Sequence, residues 1–249
     1  MTLLNEQTFI CLDCETTGLE PKTDRIIEVA VTKFTFSETL ESYETLIDPE
    51  SPISEISMSI HHITPEMVQG KPKIQEVLPK VNAMVDTNII IGHGIQLDIA
   101  FLQESAKRFD IPNSFDKLIF IDTLRLARLY GESPTNSLER LRQHFNIAEE
   151  GAHRAMSDVT VNIHVFKYLS KSFKTTEELL ERLKKPILMK TMPLGKYKGR
   201  PFNEVPLEYL KWAIRGDFDQ DLIFSIKSEL HKRNKGSGFG QSSNPFSQL

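Results

Sequence analysis

An α/β layer architecture built on a mixed five-stranded sheet is what this sequence predicts, on three observations. Apolar or alternating segments of strand length come first, at Thr8–Cys14, Ile26–Phe34 and Glu41–Ile47, separated by the turn formers Gly18, Pro21, Asp24 and Ser37. Helical and strand patterns then alternate, the order expected when helices cover the faces of a sheet. At 249 residues and 39% apolar composition, the chain has material for one main domain with its own core and a small appendage.

The short connections between the first three strands favour antiparallel pairing. A loop rich in Pro and Ser follows, then a helix over Ile74–Val85 despite Pro79, and the β-branched run Ile89-Ile90-Ile91 reads as a buried strand. Asp98–Phe109 reads as helix, Leu118–Ile121 as the fifth strand, and Thr123–Tyr130 and Ser137–Phe145 as two more helices. Ser157–Leu169 places Val159, Ile163, Phe166 and Leu169 on one side of an amphipathic helix. These elements make a main domain over residues 1–173.

Thr175-x-x-Glu178 has the form of a capping box opening a linker helix over Glu177–Lys185, which Pro186 stops; the linker spans 174–189. Residues 190–233 form a small second domain: a glycine-bounded turn at Gly195–Gly199, then helices over Leu207–Arg215 and Asp221–His231. Residues 234–249, rich in Gly, Ser, Gln and Asn, are expected to be a flexible tail. Within it, Gln241–Phe246 has a faint likeness to a sliding-clamp-binding peptide without that peptide's central aliphatic residue.

No stretch approaches the ~20 apolar residues of a membrane helix, and the first residues lack a signal-peptide pattern, so the expected location is the cytoplasm, without a membrane partner. The net charge of −4 is uneven: residues 1–185 hold 20 Lys/Arg against 28 Asp/Glu, and 186–249 hold 10 against 6. The C-terminal part is therefore the better candidate for capturing phosphates. Cys11 and Cys14 form a C-x-x-C, but residues three apart on a strand point to opposite faces, which disfavours a redox pair or a zinc site.

Asp13 and Glu15 lie two apart at the end of the first strand, so both carboxylates face one way. A charge ending an apolar strand is costly unless paired or bound to metal, and a few carboxylates open to solvent suit Mg²⁺. Thr16, Thr17 and Gly18 follow, offering hydroxyls and N–H groups where a phosphate or terminal ribose would lie. Asp98 opens a helix after His93, which is flanked by Gly92 and Gly94. His153 and Asp158 are five apart, about 140° around a helix, so His153 belongs on the preceding loop and Asp158 in the helix's first turn. Each of these taken singly also fits an ordinary surface acid or histidine.

Together the set resembles the DEDDh class of 3′–5′ exonucleases, the group that includes the proofreading exonuclease of bacterial replicative polymerases. The resemblance covers roughly residues 8–170 and rests on three motifs in order: Asp13-Cys14-Glu15-Thr16-Thr17-Gly18-Leu19, His93 through Asp98, and His153 through Asp158. Ile60–Val68 is similar to the segment beside that family's active site, with His61 in the position that helps hold the 3′-terminal nucleotide. Met192–Arg200 resembles the start of the small C-terminal domain of exodeoxyribonuclease X-type members. There Lys196, Lys198 and Arg200 could meet phosphates and Tyr197 could stack on a base, or the same residues could simply close a small core. Gly94 stands where an Asn is usual and Leu97 where an aromatic often precedes the aspartate.

The resemblance implies an RNase H-like fold and hydrolysis with two Mg²⁺ ions, Mn²⁺ being able to substitute. It implies Asp13 bridging both ions, Glu15 and Asp158 completing one site, Asp98 supporting the other, and His153 accepting the proton of the attacking water. It also implies a partner with a 3′ end, DNA being preferred, and nucleoside 5′-monophosphates as products. The polymerase-associated members of the class make a polymerase or sliding clamp a further candidate partner. An RNA-directed exonuclease of the same class and a catalytically silent scaffold are the alternative readings.

Overall fold

A computed structural model describes residues 2–85, 88–130, 136–148 and 154–237. They divide into two compact units, one of Met1–Ala127 with Asn136–Leu183, the other of Arg128–Thr135 with Lys184–Leu249. His153 and the clamp-like segment Gln241–Phe246 lie outside the described residues.

The first unit is built on a five-stranded sheet in the order β3-β2-β1-β4-β5, comprising β1 (Phe9–Thr16), β2 (Ile26–Phe34), β3 (Thr39–Leu46), β4 (Ile89–Gly92) and β5 (Ile119–Asp122). The first three strands are antiparallel neighbours, and β4 and β5 run parallel to β1. This is the mixed α/β sheet the sequence predicts.

Strand β1 is buried on both faces, which is why its N-terminal half, Phe9-Ile10-Cys11-Leu12, is continuously apolar. On one face Ile10 and Leu12 join a core with Leu78 and Val81 of α3 (Ile74–Val85) and Phe101 and Leu102 of α4 (Gln96–Arg108). On the other face lies α7 (Ala155–Leu169), where Phe166 packs edge-on against Phe9 at 5.1 Å and Cys11 Sγ sits 3.7 Å from the Val159 carbonyl. Cys14 packs with the first core, so the two cysteines face opposite ways and both are free. Helices α5 (Thr123–Tyr130) and α6 (Leu138–His144) follow β5, and α8 (Thr176–Lys184) follows α7. The capping box forms with an offset: Thr175 Oγ1 accepts from the Glu178 N–H at 3.2 Å, while the Glu178 carboxylate accepts from the Lys174 N–H.

The stretch expected as loop between β3 and α3 contains two short helices, α1 (Glu55–His61) and α2 (Pro65–Val68). Their starts have local causes: Ser54 Oγ accepts from the Ser57 N–H, and Pro65 occupies the first turn of α2. His62 ends α1 in the left-handed conformation, with φ 59°.

The second unit has its own core of Met189, Met192, Phe202, Val205, Leu210, Ala213, Leu222 and Ile226. It contains α9 (Leu207–Ala213) and α10 (Gln220–Ser237). Helix α10 continues past the expected end at His231 into residues expected to be tail, because Arg233 pairs with Glu229 at 2.7 Å and donates to the Phe202 carbonyl. Inside this unit the buried Asp221 accepts from Arg128 and from the Ile187 N–H. No described helix is long and apolar enough to cross a membrane.

Candidate active site

Strand β1 runs two residues further than its sequence pattern suggests, so Asp13 and Glu15 both lie within it. The antiparallel register sets Asp13 opposite Ala30 and Glu15 opposite Glu28. Asp158 comes from the first turn of α7, as expected, and one carboxylate oxygen from each of Asp13, Glu15 and Asp158 lies within 4.8 Å of the others. Asp98 enters from the first turn of α4, and its Oδ1 accepts from the Cys14 N–H at 2.9 Å. Four acids from three elements thus converge on the end of one strand, all partly buried.

The electrostatic result is strain on the charged forms. Burial, then Asp98, Asp158, Glu15 and Glu28, holds the Asp13 carboxyl well above the ordinary range. Burial and Asp158 push Glu15 up to about 8, against a small opposing pull from Arg154. Burial raises Asp98 to about 7, although the Cys14 N–H favours its ionised form. An all-oxygen donor set of this density fits a hard divalent cation, whose charge would relieve the repulsion that now favours protonation.

Glu28 is the acid sequence reading missed. It is fully buried, and Arg154, the residue before α7, grips both its carboxylate oxygens, while the Ala155 N–H donates to it at 3.0 Å. A signal was present: a glutamate inside the apolar run Ile26-Ile27-Glu28-Val29-Ala30-Val31 has to be paired. This clamp fixes the start of the helix that carries Asp158.

Other expected substrate residues have varied placements. His61 is buried, its Nδ1 accepts from the Ile63 N–H at 3.0 Å, and its Nε2 is buried without a hydrogen-bond partner among the described residues. Burial lowers its pKa, partly opposed by the Thr16 carbonyl, and because Nδ1 accepts from Ile63 the neutral ring carries its proton on Nε2. Thr17 is 2% exposed, and its hydroxyl accepts from the Arg25 N–H and meets Asp24, so the side chain shapes the loop. The Thr16 hydroxyl likewise donates to the Gly18 carbonyl at 2.6 Å.

His93 Nδ1 lies 3.0 Å from Thr123 Oγ1, tying the end of β4 to α5. Gly94 adopts φ 74° and its N–H donates to Asp122, a second acid that sequence reading passed over. Asn is the side chain that best tolerates this left-handed conformation, which accounts physically for Gly replacing it. Leu19 and Leu97 are both exposed, next in sequence to Gly18 and Asp98. Lys196, Lys198 and Arg200 are exposed and Tyr197 half-buried in the second unit.

A family model described as Exonuclease matches residues 10–166, from β1 into α7. A second model, described as "Putative quorum-sensing-regulated virulence factor", matches residues 179–223. The PolC-type DNA polymerase III of Thermotoga petrophila is 35% identical over 159 residues, covering 64% of this chain and 12% of the polymerase. That of Clostridium perfringens is 30% identical over 177 residues, covering 71% and 12%. The chain therefore spans about 12% of the length of these relatives. Among solved structures, Exonuclease X in complex with 5′-overhanging duplex DNA superposes with a TM-score of 0.57 at 22% identity, covering 71% of this chain and 99% of that one. The zinc-bound E. coli ExoI–ssDNA complex gives 0.59 at 22% identity, covering 71% and 42%. At such identities these two establish a shared fold.

Proposed function

Because the chain belongs to the exonuclease family, we propose that it removes nucleotides from the 3′ end of DNA, and of RNA more weakly, as nucleoside 5′-monophosphates. One observation carries this reading: Asp13, Glu15 and Asp158 bring carboxylate oxygens within 4.8 Å from elements some 145 positions apart in sequence. Structural ion pairs do not account for such crowding, because like charges repel unless a cation is supplied.

Asp13, Glu15, Asp98 and Asp158 are the residues that would hold two divalent cations, Mg²⁺ by the chemistry of the donors. Bound there, the ions would ease ionisation of water and stabilise the leaving oxygen. His153 takes the proton of the attacking water, a task suited to an imidazole with an unperturbed pKa of about 6.5. His61 backs Thr16, whose segment borders the terminal nucleotide. Leu19 and Leu97 supply apolar surface against its base.

DNA is favoured over RNA because the relatives include DNA polymerases and the fold neighbours were solved with DNA. Digestion of 3′-labelled DNA and RNA with Mg²⁺ or with EDTA tests the reading, using the wild type and the Asp13→Ala and Asp158→Ala variants. Mononucleotide release by the wild type alone, in Mg²⁺ alone, is expected. Undiminished release by either folded variant, or no release from any substrate, overturns it, the latter in favour of a silent scaffold.

A further inference from the structure

The second unit buries its own apolar core yet leaves the chain's single tryptophan, Trp212, 63% exposed. Tryptophan in a finished fold is normally highly buried, so an exposed ring on a well-packed helix is a feature without a structural use. It is not isolated. Tyr209, one turn earlier on α9, lies 5.2 Å from it between ring centres, and Tyr197 lies 4.7 Å from Tyr209.

The three rings are held in place by the backbone. Gly195, with φ 72°, sits so close to Tyr209 that a Cβ there would fall 2.4 Å from the phenol oxygen. The turn is closed by hydrogen bonds from the Lys198 N–H to the Gly195 carbonyl and from the Gly199 N–H to the Met192 carbonyl. Turn and helix therefore present one aromatic cluster, in which Tyr197 meets Tyr209 edge to face and Tyr209 lies at 45° to Trp212.

Cations border this cluster. Lys196 Nζ and the Arg200 guanidinium lie 5.7 and 5.9 Å from the centre of the Tyr197 ring. A third cation, the exposed Arg215, follows Trp212 by three residues, its backbone N–H donating to the Trp212 carbonyl at 3.2 Å. None of these three forms an ion pair with a described residue, whereas Lys211 is already bound to Glu208 at 2.9 Å. The exposed Trp212 ring, tilted 45° to Tyr209, which Tyr197 meets edge to face, together with cations that pair with no described acid, is complementary to a ligand with flat bases and regular negative charge. In a duplex the base faces are stacked on one another and unavailable, so the fit is to a single strand.

We propose that Tyr197, Tyr209 and Trp212, with Lys196, Arg200 and Arg215, form a stacking platform for single-stranded nucleic acid outside the acidic site. It rests on the exonuclease reading for the class of substrate, and it adds a binding site on a separate unit. Loss of the platform weakens strand binding while leaving the chemical step intact.

Because Trp212 is the only tryptophan, its fluorescence reports contact directly. The full chain in EDTA is titrated with a single-stranded 20-mer oligothymidylate, a duplex of equal length and an acidic peptide. Emission should be quenched by the single strand and little changed by the other two. Trp212→Ala should weaken binding of a fluorescein-labelled 20-mer by about tenfold, and Trp212→Phe should restore most of it, as expected for one stacked base. Mg²⁺-dependent hydrolysis of the p-nitrophenyl ester of thymidine 5′-monophosphate, too small to span a second site, should be unchanged in both variants. Unaltered emission and affinity, equal quenching by the peptide, or a parallel fall in ester hydrolysis overturns the platform. Failure of the exonuclease reading is separately visible as absence of ester hydrolysis and of 3′-end release by the wild type.

Discussion

Replacing Asp13 with asparagine in the metal-free protein tests the carboxylate crowding directly. At a separation of 4.8 Å and an effective dielectric of ~20, each charged pair costs about 3.5 kcal/mol. Asp13 faces two such neighbours, so full ionisation of all three is more expensive than taking up a proton. Protonation then sets a ceiling: for a carboxyl with an unfolded pKa of about 3.9, neutrality costs about 4 kcal/mol at pH 7 and about 1.5 kcal/mol at pH 5.

Asparagine is neutral without that cost. After screening by solvent at a partly open site, Asp13→Asn should gain about 1–3 kcal/mol at pH 7 in EDTA and less at pH 5. The sign follows from the raised folded-state values. Stability from such groups is complete below the ordinary carboxylate range and is lost as pH rises through about 7 for Asp98 and about 8 for Glu15. The wild type should therefore melt progressively lower between pH 5 and 8 in EDTA, and the variant should flatten that slope. Saturating Mg²⁺ reverses the order, since at a hundredfold excess over Kd a bound ligand adds about 2.7 kcal/mol to the wild type alone. Thermal unfolding at three pH values, with EDTA and with Mg²⁺, reads all of this. A variant that melts below the wild type in EDTA at pH 8 would refute the crowding account.

Three further outcomes are expected. Glu28→Ala leaves Arg154, whose side chain is 39% exposed, without its buried partner and the Ala155 N–H without an acceptor, so denaturant unfolding should show a loss of about 1–3 kcal/mol, whereas Glu28→Gln should lose less. His61→Phe should raise KM for a 3′-terminal nucleotide more than it lowers kcat, since it disturbs the Thr16 segment that the ring backs and removes no metal ligand; a change in kcat alone would contradict that role. At Gly94, whose φ is 74°, alanine should cost about 1–2 kcal/mol and asparagine distinctly less, as measured by urea unfolding; equal effects would mean the loop relaxes out of the left-handed conformation.

The sheet was legible because its strands carry period-two or fully apolar patterns, and the main helices because their apolar faces repeat at helical spacing. The helices α1 and α2 were not, since they are only seven and four residues long and are set by the Ser54 cap and by Pro65 in the first turn rather than by an apolar stripe. At the site, strand alternation alone predicted the pairing of Asp13 with Glu15. The convergence of Asp98 and Asp158 depends on α4 and α7 packing on opposite faces of β1, a tertiary fact that no local pattern encodes. The partner of the Thr17 hydroxyl, the Arg25 N–H, was not legible for the related reason that it lies across a turn whose path the sequence does not give.

The register of β1 and β2 shows why the acidic site and its support belong to one design. Glu15 and Glu28 are directly opposite on neighbouring antiparallel strands, so their side chains share a face, and like charges so placed are destabilising. The chain resolves the two halves of this conflict differently. Glu28 receives a permanent cation, Arg154, from the residue that opens α7, and the same helix then delivers Asp158 toward Glu15. One glutamate is neutralised by the fold, and the other is left facing further acids, where a proton or a cation from solution relieves it. A fold that needed stability alone would supply both counter-ions; withholding the second leaves one end of β1 with an acidic cluster that could hold a metal ion.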